Sequence, residues 1–490
     1  MKKIVLSLAL LGALASFSSK AQAQGAAPFW APQNSIYNPA ASLGNGFRLA
    51  HVSIALTNPN IVWGIGGELP PPGATSYTFD KWVKSVDGGA TWTTGNIQFG
   101  TGYTVGMMQA IDANTCFFMN YSNNGGGEVR RTTDGGATWV NMAANGVNFT
   151  LPGSFPNVIA FFDANNGFAA GDPQPAATAT TPAGPFQIYT TGDGGNTWRR
   201  VATSNLPVAG DAEYGLVGSV ARVGNTAWMG GTDQGGANAK VYKSVDQGRT
   251  WTASNSPFTD VGGIAFSTAT NGLIVNGADI AATTNGGTSF APVAYTGPFY
   301  GQFDIAAVPG VAGMYVASGL RDVPTPTAND YGTVITGNNG QRWTQIDSTI
   351  IRYDLDIASN TVGYAVGNNT NPPAGQQPGS LRAIYKNSRP FSSILAARNN
   401  AANNTVALSV YPNPSSNGVF TLGLPSGTRN AQNIRVFDAL GREVFRRQLN
   451  ATSAVGAVGL PLDLSSLKSG VYTLELTNSE GTGRQKLVIE

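Results

Sequence analysis

Along most of the chain, short apolar segments alternate with turn-forming residues, and the unit is clear in Ile159-Ala160-Phe161-Phe162, Asp163-Ala164-Asn165-Asn166 and Gly167-Phe168-Ala169-Ala170-Gly171. An apolar segment, a turn and a second segment ending in glycine recur over Ile264 to Gly277 and Leu355 to Gly367, and short alternating runs such as Gln187-Ile188-Tyr189-Thr190 follow. This pattern predicts many short strands joined by tight turns. Composition agrees. Only 11% of residues are charged, against a usual ~25%, while 63 of 490 are Gly, nearly twice the usual ~7%. Gly plus Pro stays below the ~25–30% that marks disorder, so the chain is predicted to fold as an all-β protein.

The strands are organised by a repeat. Ser85-Val86-Asp87-Gly88-Gly89-Ala90-Thr91-Trp92 recurs at Thr132 to Trp139, Thr191 to Trp198 and Ser244 to Trp251, with its Asp at Asp134, Asp193 and Asp246. Degenerate copies at Thr283 to Phe290 and Thr336 to Trp343 carry Asn285 and Asn338 instead. Successive copies lie 47, 59, 53, 39 and 53 residues apart, and a last unit, Tyr353 to Asn387, lacks a proper box. Each period reads as four strands with the box between the third and fourth. Units of ~40–50 residues repeated about seven times predict a seven-bladed β-propeller. In each box Asp accepts backbone N–H groups of its own turn, Gly supplies positive φ, Thr bonds across the turn, and Trp covers the hairpin against its neighbour.

On these boxes, residues 30 to 390 resemble the Asp-box family, the bacterial neuraminidase repeats, whose pattern is Ser/Thr-x-Asp-x-Gly-x-Thr-Trp; four copies match fully and two in part. The family includes sialidases, xyloglucan-degrading glycosidases, sortilin-like receptors and photosystem II assembly-factor-like propellers. The resemblance implies that Asp87, Trp92, Asp134, Trp139, Asp193, Trp198, Asp246 and Trp251 are structural and lie away from any ligand site.

Residues 389–404, rich in Ala, Asn and Ser, read as a linker, and the alternating runs of 405–490 predict a small Ig-like β-sandwich. Tyr411-Pro412-Asn413-Pro414, Val436 to Arg442, Leu464 to Tyr472 with Gly470 before Val471-Tyr472, and the terminal Lys486-Leu487-Val488-Ile489-Glu490 resemble the type A sorting domain of the Bacteroidetes type IX secretion system. The resemblance implies export across the outer membrane, removal of the domain by a cell-surface sortase-like peptidase, and release or attachment to surface lipopolysaccharide. An accessory carbohydrate-binding sandwich is the alternative.

At the other end, Lys2 and Lys3 precede an apolar run from Ile4 to Phe17 and the small-residue site Ala21-Gln22-Ala23, so residues 1–23 read as a secretory signal peptide and 25–388 as the propeller. No other apolar stretch approaches the ~20 residues of a membrane span. Without the leader, residues 25 to 392 carry 17 basic and 21 acidic groups, too few and too balanced for a nucleic-acid surface. One histidine, His51, and one cysteine, Cys116, exclude an intrachain disulfide and multi-His or multi-Cys zinc sites; His51 reads as a strand residue and Cys116 as a buried apolar one. No cofactor and no metal are expected.

The boxes occupy one face. The irregular insertions Leu69 to Ala74, Pro173 to Pro185, Val323 to Asn329 and Thr370 to Ser380 follow second strands and are expected on the other. Acidic residues recur at second-strand exits: Glu68, Asp172, Asp233, Asp279 and Asp322. They either cap their own turns or, with Arg321, Asp211, Glu213 and Tyr214, line a site for a cation or a sugar. Three functions are open: a non-catalytic surface or secreted module binding a polysaccharide or protein, a glycosidase using two positioned carboxyl groups, and a pigment-protein assembly role. A sialidase would need Arg48, Arg222 and Arg321 around one pocket, and Phe47-Arg48-Leu49-Ala50 only partly resembles that family's Phe-Arg-Ile-Pro.

Overall fold

The computed structural model describes residues 28–33, 47–68, 79–97, 102–122, 125–149, 154–175, 178, 182–321, 330–348, 350–369, 382–395, 409–423, 431–438, 441–448, 459–478 and 482–490. The leader, residues 396–404 of the linker and the insertions at 69–74, 323–329 and 370–380 lie outside these.

Seven four-stranded antiparallel sheets span 30–387. Their inner strands are Phe47–Ile54, Tyr103–Ala110, Pro156–Phe161, Glu213–Val223, Gly263–Phe266, Asp304–Ala307 and Ile350–Ser359, heading blades 1 to 7. Blades 1 to 6 each take four consecutive strands, as the repeat predicts. Blade 7 does not. Its fourth strand is Trp30–Pro32 from the N-terminal end, which runs antiparallel to Arg382–Asn387 with Trp30 opposite Asn387. The reason is apolar burial. Phe29 and Trp30 are buried against each other and against Phe391, with ring centroids 5.2–5.7 Å apart, and Trp30 Nε1 donates to Thr333 Oγ1 at 2.9 Å. Phe391 and Ile394, expected in the linker, therefore belong to this core.

Seven buried clusters lie between consecutive blades, from Trp63, Ile65 and Phe118 between blades 1 and 2 round to Val52, Val62, Tyr364 and Ile384 between blades 7 and 1. Each sheet is apolar on both faces because each serves two interfaces, and the last cluster closes the circle. An eighth cluster, including Phe420, Leu422, Ile434, Leu474 and Leu487, fills a separate sandwich of a three-stranded and a four-stranded sheet.

The boxes share one geometry. In the second, Thr132 Oγ1 donates to Asp134 Oδ1 at 2.8 Å and accepts the Gly136 N–H at 2.9 Å, while the Thr138 N–H donates to Asp134 Oδ1 at 2.9 Å and the Thr138 hydroxyl to Oδ2 at 2.6 Å. The boxes at Asp87, Asp193 and Asp246 repeat these bonds, and Asn285 and Asn338 keep the amide acceptor role. Gly136 adopts φ +95°, and a Cβ there would stand 2.5 Å from Trp82 of blade 1, so glycine is required for both conformation and space. Each box also hydrogen-bonds the turn between strands one and two of its own blade, as in Gly88 N–H to Asn60 O and Gly194 N–H to Asn165 O. Boxes and those turns therefore share one face.

A second element of the repeat was not anticipated. Three positions before the box Asp stand Lys84, Arg131 and Lys243, and Lys386 holds the equivalent place in blade 7. Each lies over a second-strand ring of its own blade, respectively Trp63, Phe117, Trp228 and Tyr364, at 4.5–6.0 Å. Lys84 donates to Gly135 O at 2.9 Å, Arg131 to Gly194 O at 2.8 Å and Lys386 to Gly88 O at 2.7 Å, in each case the box of the next blade. The box is thus also the acceptor by which one blade grips the next.

Two outcomes follow. Lys84→Met removes bonds to Ala113 O and Gly135 O and lowers unfolding stability by about 1.5–3 kcal/mol in urea titration; an unchanged midpoint would remove the cation from this account. Hydrogen bonds from Thr91 and Thr138 hold Asp87 and Asp134 down to about 2. A depressed folded pKa gives stability that is present above the ordinary value near 4 and lost as pH falls towards 2, so acid unfolding followed by tryptophan fluorescence is expected in that window.

Candidate functional site

Loops after strands two and four emerge opposite the boxes, and most predicted ligand residues sit there. The structure gathers Asp172, Asp211, Glu213 and Asp233 at the junction of blades 3 and 4. Glu213 heads the inner strand of blade 4, in register with Asp233, and its side chain is 1% exposed. It accepts the Gly210 N–H at 2.6 Å, Lys240 Nζ at 2.8 Å and the Tyr242 hydroxyl at 2.9 Å. Burial and the adjoining Glu213 carboxylate push the Tyr242 hydroxyl well up, which keeps it a donor.

Asp172 accepts Asn157 Nδ2 at 2.7 Å and the Gly215 N–H at 2.9 Å, joining blade 3 to blade 4. Burial pushes it up to about 6 against those two bonds. Asp211 accepts the Ala183 N–H at 2.9 Å, tying the end of the Pro173 to Pro185 insertion to the loop that enters blade 4. Asp233 accepts the Gly235 N–H at 2.8 Å and caps its own turn. These carboxylates are engaged by the protein's own donors.

The remaining candidates are dispersed. Asp279 is exposed at the head of the strand Asp279–Thr283 in blade 5, and Tyr214 is 39% exposed beside Glu213. Arg321 follows the strand Tyr315–Leu320 in blade 6, with its side chain 55% exposed and Nη1 3.8 Å from Asp330 Oδ1. The side chains of Arg48 and Glu68, and all of Asp322, lie outside the described residues. Arg222 stands near the box-face end of Glu213–Val223 and faces Asp356, so Arg222 and Arg321 occupy opposite ends of the propeller rather than one pocket. Among the described residues, no group of three or more His, Cys, Asp or Glu is arranged to hold a metal ion.

Sequence reasoning missed an aromatic patch beside Arg321. Phe303, immediately before the inner strand of blade 6 and 36% exposed, packs on Tyr353 of blade 7 with centroids 5.2 Å apart. Tyr300 accepts from Gln345 Nε2 at 3.2 Å and feels Arg321 and Asp330, and both Tyr300 and Tyr331 are pushed up chiefly by burial. The available signal was an aromatic residue immediately before one inner strand, Phe303, and another within the first half of the next, Tyr353. An exposed ring beside a solvent-facing guanidinium suits contact with a flat, partly apolar ligand carrying acceptor groups.

In the C-terminal module, Asn413 of the sorting motif donates from Nδ2 to Lys486 O at 2.7 Å and accepts the Val488 N–H at 2.9 Å, pinning the motif to the last strand, Thr482–Ile489. Tyr411 ends the strand Ser409–Tyr411 opposite Thr421 and is 53% exposed, while the Tyr472 hydroxyl donates to Lys468 O at 2.7 Å. Gly470 opens the strand Gly470–Asn478, and Pro412 and Pro414 flank Asn413.

Scaffold and ligand roles separate by stability. Glu213→Ala leaves Lys240 uncompensated and costs about 3–5 kcal/mol in urea unfolding, whereas Arg321→Ala changes stability by under about 0.5 kcal/mol. Equal losses at both would mean that Arg321 is also scaffold.

Residues 409–490 match the family of secretion system C-terminal sorting domains. No curated protein matches the chain. Similar solved structures include YCF48 from Cyanidioschyzon merolae, 15% identical with TM-score 0.46 over 71% of this chain and 97% of that one. A GH74 enzyme from Niastella koreensis is 12% identical with TM-score 0.41, over 90% and 66% respectively. A Trypanosoma rangeli sialidase is 11% identical with TM-score 0.40, over 90% and 83%. Among the described residues no helix is long and apolar enough to cross a membrane. The chain carries a type IX secretion sorting domain behind a β-propeller and is exported by that machinery to the cell surface or the extracellular space.

Proposed function

We propose that the protein is a non-catalytic binding or adhesion module of a Bacteroidetes cell surface: an Asp-box propeller whose loop face engages a polysaccharide or protein. In this reading residues 1–23 are a cleaved leader, residues 25–388 bind, and residues 405–490 are removed by a sortase-like surface peptidase once outside. The observation that carries the binding role is the division of labour between carboxylates and aromatics on the loop face. Asp172, Asp211 and Glu213 hold blades and loops together, which suits them poorly to general acid or base work. Phe303 and Arg321 stand exposed with Tyr353 beneath, which suits them to contact.

The test is a glycan-array, polysaccharide pull-down and hydrolysis screen of the mature protein. Binding without turnover is expected, with Arg321→Ala and Phe303→Ala each weakening a ligand found there by about tenfold, or ~1.4 kcal/mol, at unchanged melting temperature. Turnover of any polysaccharide would replace this reading with a glycoside hydrolase. Independently, deleting residues 405–490 is expected to retain the protein inside the outer membrane in cell fractionation, and secretion of the truncated chain would contradict the delivery route.

A further inference from the structure

The inner strand of every propeller blade is a sheet edge, whose channel-facing amides have no strand to pair with and must find other acceptors. Between blades 1 and 2 this is a neutral hydroxyl, Ser53 Oγ, which accepts the Ala110 N–H at 3.0 Å. At the seam formed by blades 6, 7 and 1 the acceptors are carboxylates. Asp304 of blade 6 accepts the Leu355 N–H of blade 7, Asp354 of blade 7 accepts the Val52 N–H of blade 1, and Asp356 accepts the Ile54 N–H, each at 2.7 Å. This is also the seam at which Trp30–Pro32 completes the ring.

Among the described residues, two basic groups face these carboxylates. His51 of blade 1 places Nδ1 3.8 Å from Asp354 Oδ1, and Arg222 of blade 4 faces Asp356. Arg352, on the same strand as Asp354, is fully buried and committed elsewhere: it pairs with Asp347 at 2.5 Å between the rings of Trp30 and Tyr385. Three carboxylates thus share one confined space with a single permanent counter-charge. Like charges lining one half-buried seam oppose one another's ionisation.

We propose that this seam is a pH-sensitive latch: protonated carboxylates keep blades 6, 7 and 1 joined, and their ionisation loosens the ring where the N-terminal strand closes it. A protonated carboxyl still accepts the neighbouring N–H through its carbonyl oxygen, so the bonds survive while the repulsion vanishes. Burial is the largest influence on both Asp304 and Asp356, followed for Asp304 by the adjoining Asp354. Asp304 is raised well above the usual carboxylate range and Asp356 to about 6, the latter against the Ile54 N–H and Arg222. A raised folded pKa gives stability that is full below the ordinary value near 4 and lost as pH rises through the folded one. The latch therefore tightens towards pH 5 and loosens towards pH 8, opposite in sign to the boxes.

Amide hydrogen exchange of the mature protein from pH 5 to 8.5, corrected for intrinsic rates, tests this. Asp172, also raised, affects the global melting curve in the same direction, so the readout is local. Protection at Ile54 and Leu355 is expected to fall by up to about tenfold per pH unit relative to Ala110, whose acceptor does not titrate. Asp304→Asn and Asp356→Asn are each expected to flatten that slope and to raise seam protection at pH 8.5. A constant ratio between Leu355 and Ala110 across the range overturns the proposal, as does an Asn variant that weakens the seam equally at every pH. Should Asp304→Asn fail to fold, Asp356→Asn and the wild-type ratio still decide.

Discussion

The fold depends on a turn that is locked from within and grasped from outside. An aspartate such as Asp134 collects the amide and hydroxyl of Thr138 and the hydroxyl of Thr132, which fixes a box whose glycine carbonyls point outward. Those carbonyls receive Lys84 from the preceding blade, and Lys84 is itself held over Trp63. Without the internal bonds the turn would not present Gly135 O in a fixed place. Without the cation the boxes would stabilise separate hairpins and little else. The apolar clusters between blades supply most of the attraction, and the boxes set the register in which it is realised.

A ring has to close, and this one closes on residues separate from its repeat. Trp30–Pro32 donates an outer strand to blade 7, and Lys386 of that blade reaches the first box at Gly88 O. Closure thus uses the same cation-to-box contact as the joints between blades 1 and 2 and between blades 2 and 3, plus an aromatic core of Phe29, Trp30 and Phe391. Ionisable groups also concentrate at this joint, in the half-buried Asp304, Asp354 and Asp356 and in the buried Arg352 with its partner Asp347.

The four-stranded repeat and the box geometry were legible because they rest on local turn chemistry, which repeats in sequence wherever it repeats in space. The sandwich was legible for the same reason. The closing strand was not: Phe29 and Trp30 contact partners some 360 residues away and belong to no repeat. Lys84, Arg131 and Lys243 do repeat, and a search that looked three positions ahead of the box Asp would have found them. On the loop face, Glu213 and Asp172 looked like ligand groups because spacing cannot show burial; the structure surrounds them with donors from Lys240, Tyr242, Asn157 and Gly215. Phe303 and Tyr353 escaped notice because an isolated aromatic before or within a strand resembles any core residue. Exposure is a property of the assembled ring.

The central claim, that the boxes are part of one cooperative ring rather than decorations on separate hairpins, is tested most directly by native-state hydrogen exchange under mild denaturant at fixed pH. The amides of Thr91, Thr138, Thr197 and Thr250, each bonded to its box aspartate, should exchange only with the same free energy and denaturant dependence as buried strand amides such as Phe118. Exchange of these four amides by independent, low-energy local openings, with the core strands still protected, would contradict the account.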